Sequence, residues 1–326
     1  MSRPKDTEAG AAATRIARHL TAELTLPVAP EITAFVRRLV GAARPLAVLF
    51  YGSALRGGAS GADALDGVLD FYVVLDRQSD WPRGVWSRLA NAVLPPNVEY
   101  HAFVVDGREV RAKVALLTQA QLRARTRWAS RDTTLWARFC QPVRLVWVRD
   151  AGAADAVLGC IARAIGTATR WAAVLGPSQG TPDDFWTALF AETYATELRV
   201  EGRNRPAILL DGQQRRYGVM LRDGWLAGGV GVTQRGETWA PTVSIEARRA
   251  GLERWRTCRA LGRPLNIARL VKAAFTFRGG AAYLLWKIAR HTGVRVSPSR
   301  FEGRHPLLGA PTLLWRLWRR GAFRRA

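Results

Sequence analysis

Tyr51-Gly52-Ser53 closes a continuous apolar run, Leu46 to Tyr51 (LAVLFY), and Asp70 stands near the start of a second run, Val68 to Leu75 (VLDFYVVL). Between them lies a loop with Gly57, Gly58, Gly61 and Gly67. Such a constellation suits phosphate chemistry. A glycine lets the backbone approach a triphosphate, and a serine hydroxyl with nearby N–H groups can hold phosphate oxygens. A carboxylate on the neighbouring strand can hold Mg²⁺, a hard cation that shares its oxygen ligands with phosphates. A Gly-Ser pair alone is an ordinary turn; the ordered set of strand, Gly-Ser, glycine loop and strand-borne acid is more specific.

Lys113 is a second candidate. Only Lys5, Lys113, Lys272 and Lys287 are lysines among 49 basic residues, so the chain is strongly biased to arginine. A compact ammonium binds phosphate as a point charge where arginine presents a planar fork. Lys113 is therefore either a phosphate contact or a surface lysine that escaped the bias. Arg138 is either a further phosphate contact or a helix-end cation. Asp63 and Asp66 are solvated loop acids or metal ligands, and Glu99 is an equally open choice as second ligand. Asp76 lies six residues past Asp70, ~20 Å along an extended strand, too far to share its ion. His101 on a strand reads as structural.

The elements that position these residues follow from periodicity. Ile16, Leu20 and Leu24 mark one helix, and Ile32, Phe35, Val36, Leu39 and Val40 mark the apolar face of another. After the two buried strands come a short helix ending at Leu89 to Val93, strands over Val98 to Val105 and Val110 to Leu117, and an Asp106-Gly107 hairpin turn. Leu122 to Phe139 reads as helix and Val143 to Val148 as a last strand. Residues 45–150 thus form an α/β or α+β domain on one sheet. Beyond Ala153 the chain is mainly helical, with a strong helix start at Thr181-Pro182-Asp183-Asp184 for a helix running to about Arg199. Gly202 to Pro241 reads as turn-rich, a small wing or a loop. The expected division is 1–150, 151–245 and a basic region 246–326.

Composition bounds the function classes. The 326 residues carry 49 Lys+Arg and 26 Asp+Glu, a net charge of +23, and are 48% hydrophobic, which argues against wholesale disorder. Cys140, Cys160 and Cys258 are far apart and the four histidines lack ligand spacing, so neither a disulfide scaffold nor a zinc site is expected. No signal peptide and no run of 18 apolar residues is read, which points to a soluble or peripheral intracellular protein. Residues 247–326 hold 19 basic and 2 acidic residues, +17 of the total. They also hold an apolar helical stripe (Ile267, Leu270, Val271, Ala274, Phe277, Ala281, Leu284, Leu285, Ile288) with an expected break at Gly279-Gly280, and a segment LLWRLWRR at 313–320. This region has three readings: membrane contact, nucleic-acid contact, or a packed stripe with solvated arginines.

In order and spacing, YGS, LDFYVVLD, REVRAKVALL, ARFCQPV and FWTALFAETYATELRVE resemble the mitochondrial-type phosphatidate cytidylyltransferases of the translocator-assembly-and-maintenance kind and their bacterial relatives. The resemblance covers roughly residues 45–205. It implies a polymerase-β-like nucleotidyltransferase domain, a helical second domain and a membrane-contacting C-terminal region, located on the cytoplasmic face of the cell membrane. It also implies the Mg²⁺-dependent reaction of CTP with phosphatidate to CDP-diacylglycerol and pyrophosphate. Gly52 and Ser53 match the family's Gly-Ser pair, Asp70 its metal-binding acid, Asp76 the acid closing that strand, and Lys113 the following strand's lysine. Arg138 matches the arginine before the Lys-Pro-Val run, whose lysine is Gln141 here. Tyr194, Glu197 and Arg199 match the tyrosine–acid–arginine run. The superfamily's second acid, two positions after the first, is Tyr72 in this chain, which leaves Asp66 or Glu99 for that role.

The nucleophile of such a reaction, a phosphate oxygen of phosphatidate, is anionic at neutral pH, so charge compensation and positioning matter more than a general base. The competing expectations are a nucleotidyltransferase for RNA or another phosphorylated acceptor, and an inactive basic protein that binds lipid surfaces.

Overall fold

The computed structural model describes residues 4–56, 65–197, 205–277, 279, 280, 283, 285, 286, 312, 315, 316 and 319. The chain is mixed α/β and divides into two compact units. A helical unit comprises Met1–Pro27 and Gln119–Ile267; a sheet unit comprises Val28–Thr118 and Ala268–Ala326. These cuts differ from the expected ones at 150 and 245. The first helix, α1 (Pro4–Leu24), belongs to the helical unit, where its Arg15 ion-pairs with Asp223 of a later helix.

The sheet unit runs α2 (Pro30–Val40), β1 (Ala47–Tyr51), the single turn α3 (Ser53–Arg56), β2 (Val68–Leu75), α4 (Val85–Val93), β3 (Asn97–Val105) and β4 (Arg108–Thr118). Its strands lie in the order β3-β4-β2-β1, with β2 parallel to β4 and the other two pairings antiparallel. The apolar run in β2 is buried from Phe71 to Leu75, as a central strand covered on both faces must be. One face is covered by α2, whose Phe35 meets Phe71 and Phe103 at ring separations of 5.8 and 4.9 Å. The five apolar positions expected to define α2 are all buried. Asp106 and Gly107 both take positive φ, 48° and 78°, the twist a two-residue hairpin between β3 and β4 requires.

The helical unit continues with α5 (Gln119–Arg125), α6 (Thr134–Phe139), β5 (Val143–Val148), α7 (Ala151–Leu175), α8 (Pro182–Thr196), α9 (Arg205–Leu210), α10 (Gln214–Ala227), the hairpin β6 (Gly231–Arg235) and β7 (Thr238–Thr242), and α11 (Ile245–Thr276). The last turns of α11, from Ala268, belong to the sheet unit. Asp150 caps α7 and the Thr181–Asp184 capping box opens α8. By length and composition α7 is long and apolar enough to cross a bilayer, although no uninterrupted run of 18 apolar residues exists. Here it is the core helix of its unit, with Val157, Ile161, Ile165 and Trp171 fully buried. Beneath α1, the Arg216 guanidinium is buried against Glu23 and also donates to the Cys140 carbonyl at 2.9 Å.

Two expectations need correction. The helix read over Leu122 to Phe139 is interrupted between Arg125 and Thr134, where Asp132 accepts from Arg125 and from the Thr134 N–H and so holds a turn ahead of the next helix. The turn-rich reading of Gly202 to Pro241 misses α9 and α10. Tyr217, Met220, Leu221 and Trp225 of α10 are fully buried, and Gly224 lets the helix close on Thr169 of α7, where a Cβ would stand 2.4 Å from the threonine hydroxyl. The β6–β7 hairpin is the small wing. The break expected at Gly279-Gly280 is present: α11 stops at Thr276 and Gly279 has φ +78°.

Candidate functional site

One row crosses the sheet unit. Tyr51 of β1 pairs with Asp70 of β2, Asp70 with Lys113 of β4, and Lys113 with Tyr100 of β3. Directly paired residues share a face and stand about 5 Å apart, so Asp70 and Lys113 are side by side on the face opposite α2. Asp70 and Lys113 are both half-buried, in contact with solvent yet framed by fully buried neighbours. Arg111, two residues before Lys113, falls on the same face by the period of a strand. It is a basic member of the site that the sequence reading passed over, although the Arg-x-Lys spacing on a strand was there to signal it.

The β1–α3 turn brings the backbone to this row. Gly52 has φ +99°, and a Cβ there would lie 2.9 Å from Oδ2 of Asp70. Ser53 follows, exposed, at the first position of α3. Gly52, Ser53, Asp70 and Lys113 are thus gathered at one edge of one face. A turn with an open backbone, a hydroxyl, a carboxylate and two cations can receive a polyphosphate together with a divalent cation.

Two aromatic residues of the C-terminal region lie on the cations. The Lys113 ammonium is 4.5 Å from the ring centre of Tyr283, and the Arg111 guanidinium is 5.6 Å from that of Trp286. Tyr283 also packs 5.5 Å from Tyr100. Burial pushes the Tyr100 hydroxyl up to about 12, so it stays protonated and neutral beside the cations.

The candidates for a second acid separate clearly. Tyr72 shares Asp70's face, is fully buried, and packs on Tyr51 at 5.0 Å, so its place is taken by a ring stack. Glu99 pairs with Val114, not with Lys113, and so points to the opposite face from Asp70. There it is buried and accepts from Trp81 at 3.0 Å, from Arg83 and from His101. It is a structural carboxylate and not a partner of Asp70; His101 is structural with it, as expected. Asp66 is exposed before β2 and ion-paired with Arg108. Asp76 is exposed beyond the end of β2. Among the described residues no three His, Cys, Asp or Glu side chains cluster as a metal cage. Mg²⁺ does not need one: one or two carboxylates with water and substrate phosphates are its usual set, and Asp70 beside an open turn fits that demand.

The remaining candidates meet in the helical unit. Arg138 and Gln141 from α6 and its end, with Tyr194 and Glu197 from α8 and its end, line one small depression with Thr134 and Phe190. Residues 56 positions apart are brought together by the α6 and α8 helix ends, and Glu197 caps α8 through its N–H to the Tyr194 carbonyl. Gln141 donates to the Ala137 carbonyl at 2.8 Å. Arg199, Asp63 and most of 313–320 lie outside the described residues.

Comparison of the chain with protein-family models and with curated proteins finds no match.

Proposed function

We propose that the chain is a Mg²⁺-dependent nucleotidyltransferase that joins CTP to phosphatidate, forming CDP-diacylglycerol and releasing pyrophosphate at a membrane surface. The observation that carries the reading is the Tyr51–Asp70–Lys113 row with the positive-φ Gly52 against the Asp70 carboxylate. In this reading the triphosphate lies along the Gly52-Ser53 turn, where the glycine leaves room and Ser53 donates a hydroxyl. Lys113 and Arg111 compensate phosphate charge. Asp70 holds Mg²⁺, which when bound neutralises charge on the transferred phosphoryl group and orients its oxygens. Asp66 is a further ligand in this proposal only if it leaves Arg108.

The attacking group is the phosphatidate phosphate, already anionic, so no side chain is required as base. The new bond joins that oxygen to the α-phosphorus of CTP, and the bond to the β-phosphate oxygen breaks, with pyrophosphate leaving. Arg138, Tyr194, Glu197 and Arg199 enter as substrate contacts on the strength of the family resemblance. A second reading, a lipid-surface protein without turnover, is favoured by Tyr72, which fills with an aromatic ring the position of the superfamily's second acid.

Asp70→Asn separates the two. Under the proposal it abolishes CDP-diacylglycerol formation while leaving thermal unfolding near that of the parent. An Asp70→Asn protein that turns over normally removes this acid from the mechanism.

A further inference from the structure

The helix α4 is inside out. Val85, Trp86, Leu89 and Val93 fall within about 100° of arc on one face of a helix, and they are 66%, 84%, 52% and 82% exposed. Its one buried residue is polar: Asn91 donates to the Leu116 carbonyl and to Gln78, both at 3.0 Å. A surface helix of a water-soluble unit turns its apolar face inward; this one is tethered by its polar residue and holds its apolar face away from the sheet.

The end of α11 stands at the same place. Lys272 donates to the Leu94 and Pro96 carbonyls, at 2.5 and 2.6 Å, and Arg269 to the Pro95 carbonyl at 3.2 Å. These bonds pin α11 against the loop that ends α4. Next to them Leu270, Val271 and Phe275 are 65%, 58% and 75% exposed. Seven exposed apolar side chains, four on α4 and three on the end of α11, mark an interaction site rather than ordinary scatter. Its charge suits an anionic partner: residues 84–94 and 268–277 carry Arg88, Arg269 and Lys272, all half-buried, and no acid, while Arg83 is already ion-paired with Glu99.

We propose that α4 and the last turns of α11 form one surface that inserts into the headgroup boundary of an anionic bilayer, with Trp86 and Phe275 as its deepest side chains. The inference rests on the reading above for its lipid partner and deepens it by naming the elements that meet the lipid. It places attachment at α4 and the last turns of α11, of which α4 lies outside the basic C-terminal region read from the sequence. Tryptophan and phenylalanine beside basic side chains are the composition that settles at this depth, and each nearby cation adds to attraction by anionic lipid.

The test uses the full chain and vesicles of phosphatidylcholine with and without phosphatidylglycerol. The parent floats with the anionic vesicles, and Trp86→Ser/Leu89→Ser/Val93→Ser, whose side chains contribute little to the core, binds them about tenfold less or weaker. Bromine-labelled lipid quenches part of the parent's tryptophan fluorescence, and Trp86→Phe removes that part. A triple variant that floats like the parent, quenching unchanged by Trp86→Phe, or a parent that binds neither vesicle overturns the proposal. Turnover of a short-chain, water-soluble phosphatidate keeps the two proposals apart. Activity there in a variant that no longer floats supports the surface. A parent that floats by this surface yet turns nothing over sinks the reaction alone.

Discussion

Gly52 and Asp70 are matched to each other: the glycine's positive φ turns the chain so that its missing Cβ would stand 2.9 Å from the Asp70 carboxylate oxygen. The turn can approach the acid only without a side chain. Gly52→Ala therefore carries both a backbone penalty and a clash, and is expected to cost ~1–3 kcal/mol of stability. It also displaces Asp70, so pyrophosphate release should fall more than ~tenfold if placement of this acid matters as proposed. Thermal unfolding and initial rates measured on one preparation check both effects.

Lys113 offers a test of charge against shape. Its ammonium is held by the Tyr283 ring in the row beside Asp70. Lys113→Met is expected to keep the aliphatic packing and lower kcat by ~10²-fold through lost phosphate compensation. Lys113→Arg is expected to restore little, since a planar fork does not replace a point charge in that space. Full activity in Lys113→Met would make the residue a surface lysine.

Arg216 and Glu23 form a buried pair inside the helical unit, joined also to the Val143 N–H, which donates to Glu23 at 3.2 Å. Burial alone lowers the Arg216 guanidinium, but Glu23 outweighs it and holds the cation's pKa above its ordinary value. Arg216→Leu leaves Glu23 buried without its cation and is expected to cost ~3–5 kcal/mol in denaturant unfolding. The double variant with Glu23→Leu is expected to cost less than the sum of the single ones.

Glu99 gives stability a pH signature. Burial pushes its carboxyl up, yet His101 and Arg83 prevail and hold it below the ordinary glutamate range. Its contribution is fully present above the unfolded-state pKa and is lost as pH falls through the lower folded-state value. Glu99→Gln is thus expected to cost ~3 kcal/mol near neutrality and progressively less in acid. Unfolding curves for parent and variant at a series of pH values would show the gap close; a constant gap contradicts the assignment.

The sheet unit was legible because its strands are signed by uninterrupted apolar runs and by Asp106-Gly107, local signals that tertiary packing had no reason to override. Asp70 and Lys113 were legible as residue types, but their pairing depends on register between β2 and β4, which are separated by α4 and β3. The helix α10 was hidden by Gly218 and Gly224, and Gly224 serves its close approach to α7. Glu99 stands open as a ligand in the sequence because a strand's two faces look alike until the register, here Glu99 opposite Val114, is known. The outward apolar face of α4 could be read only once burial showed which side the protein had left uncovered.

The central claim is chemical, so the most direct measurement is chemical as well. Purified protein is given each of the four nucleoside triphosphates with Mg²⁺ and phosphatidate vesicles, and pyrophosphate and lipid products are followed. The account predicts pyrophosphate and CDP-diacylglycerol in equal amounts, with CTP and not with the other three. No product with CTP from folded, vesicle-bound protein would contradict it, and turnover with a different nucleotide or acceptor would keep the nucleotidyltransferase and discard the lipid.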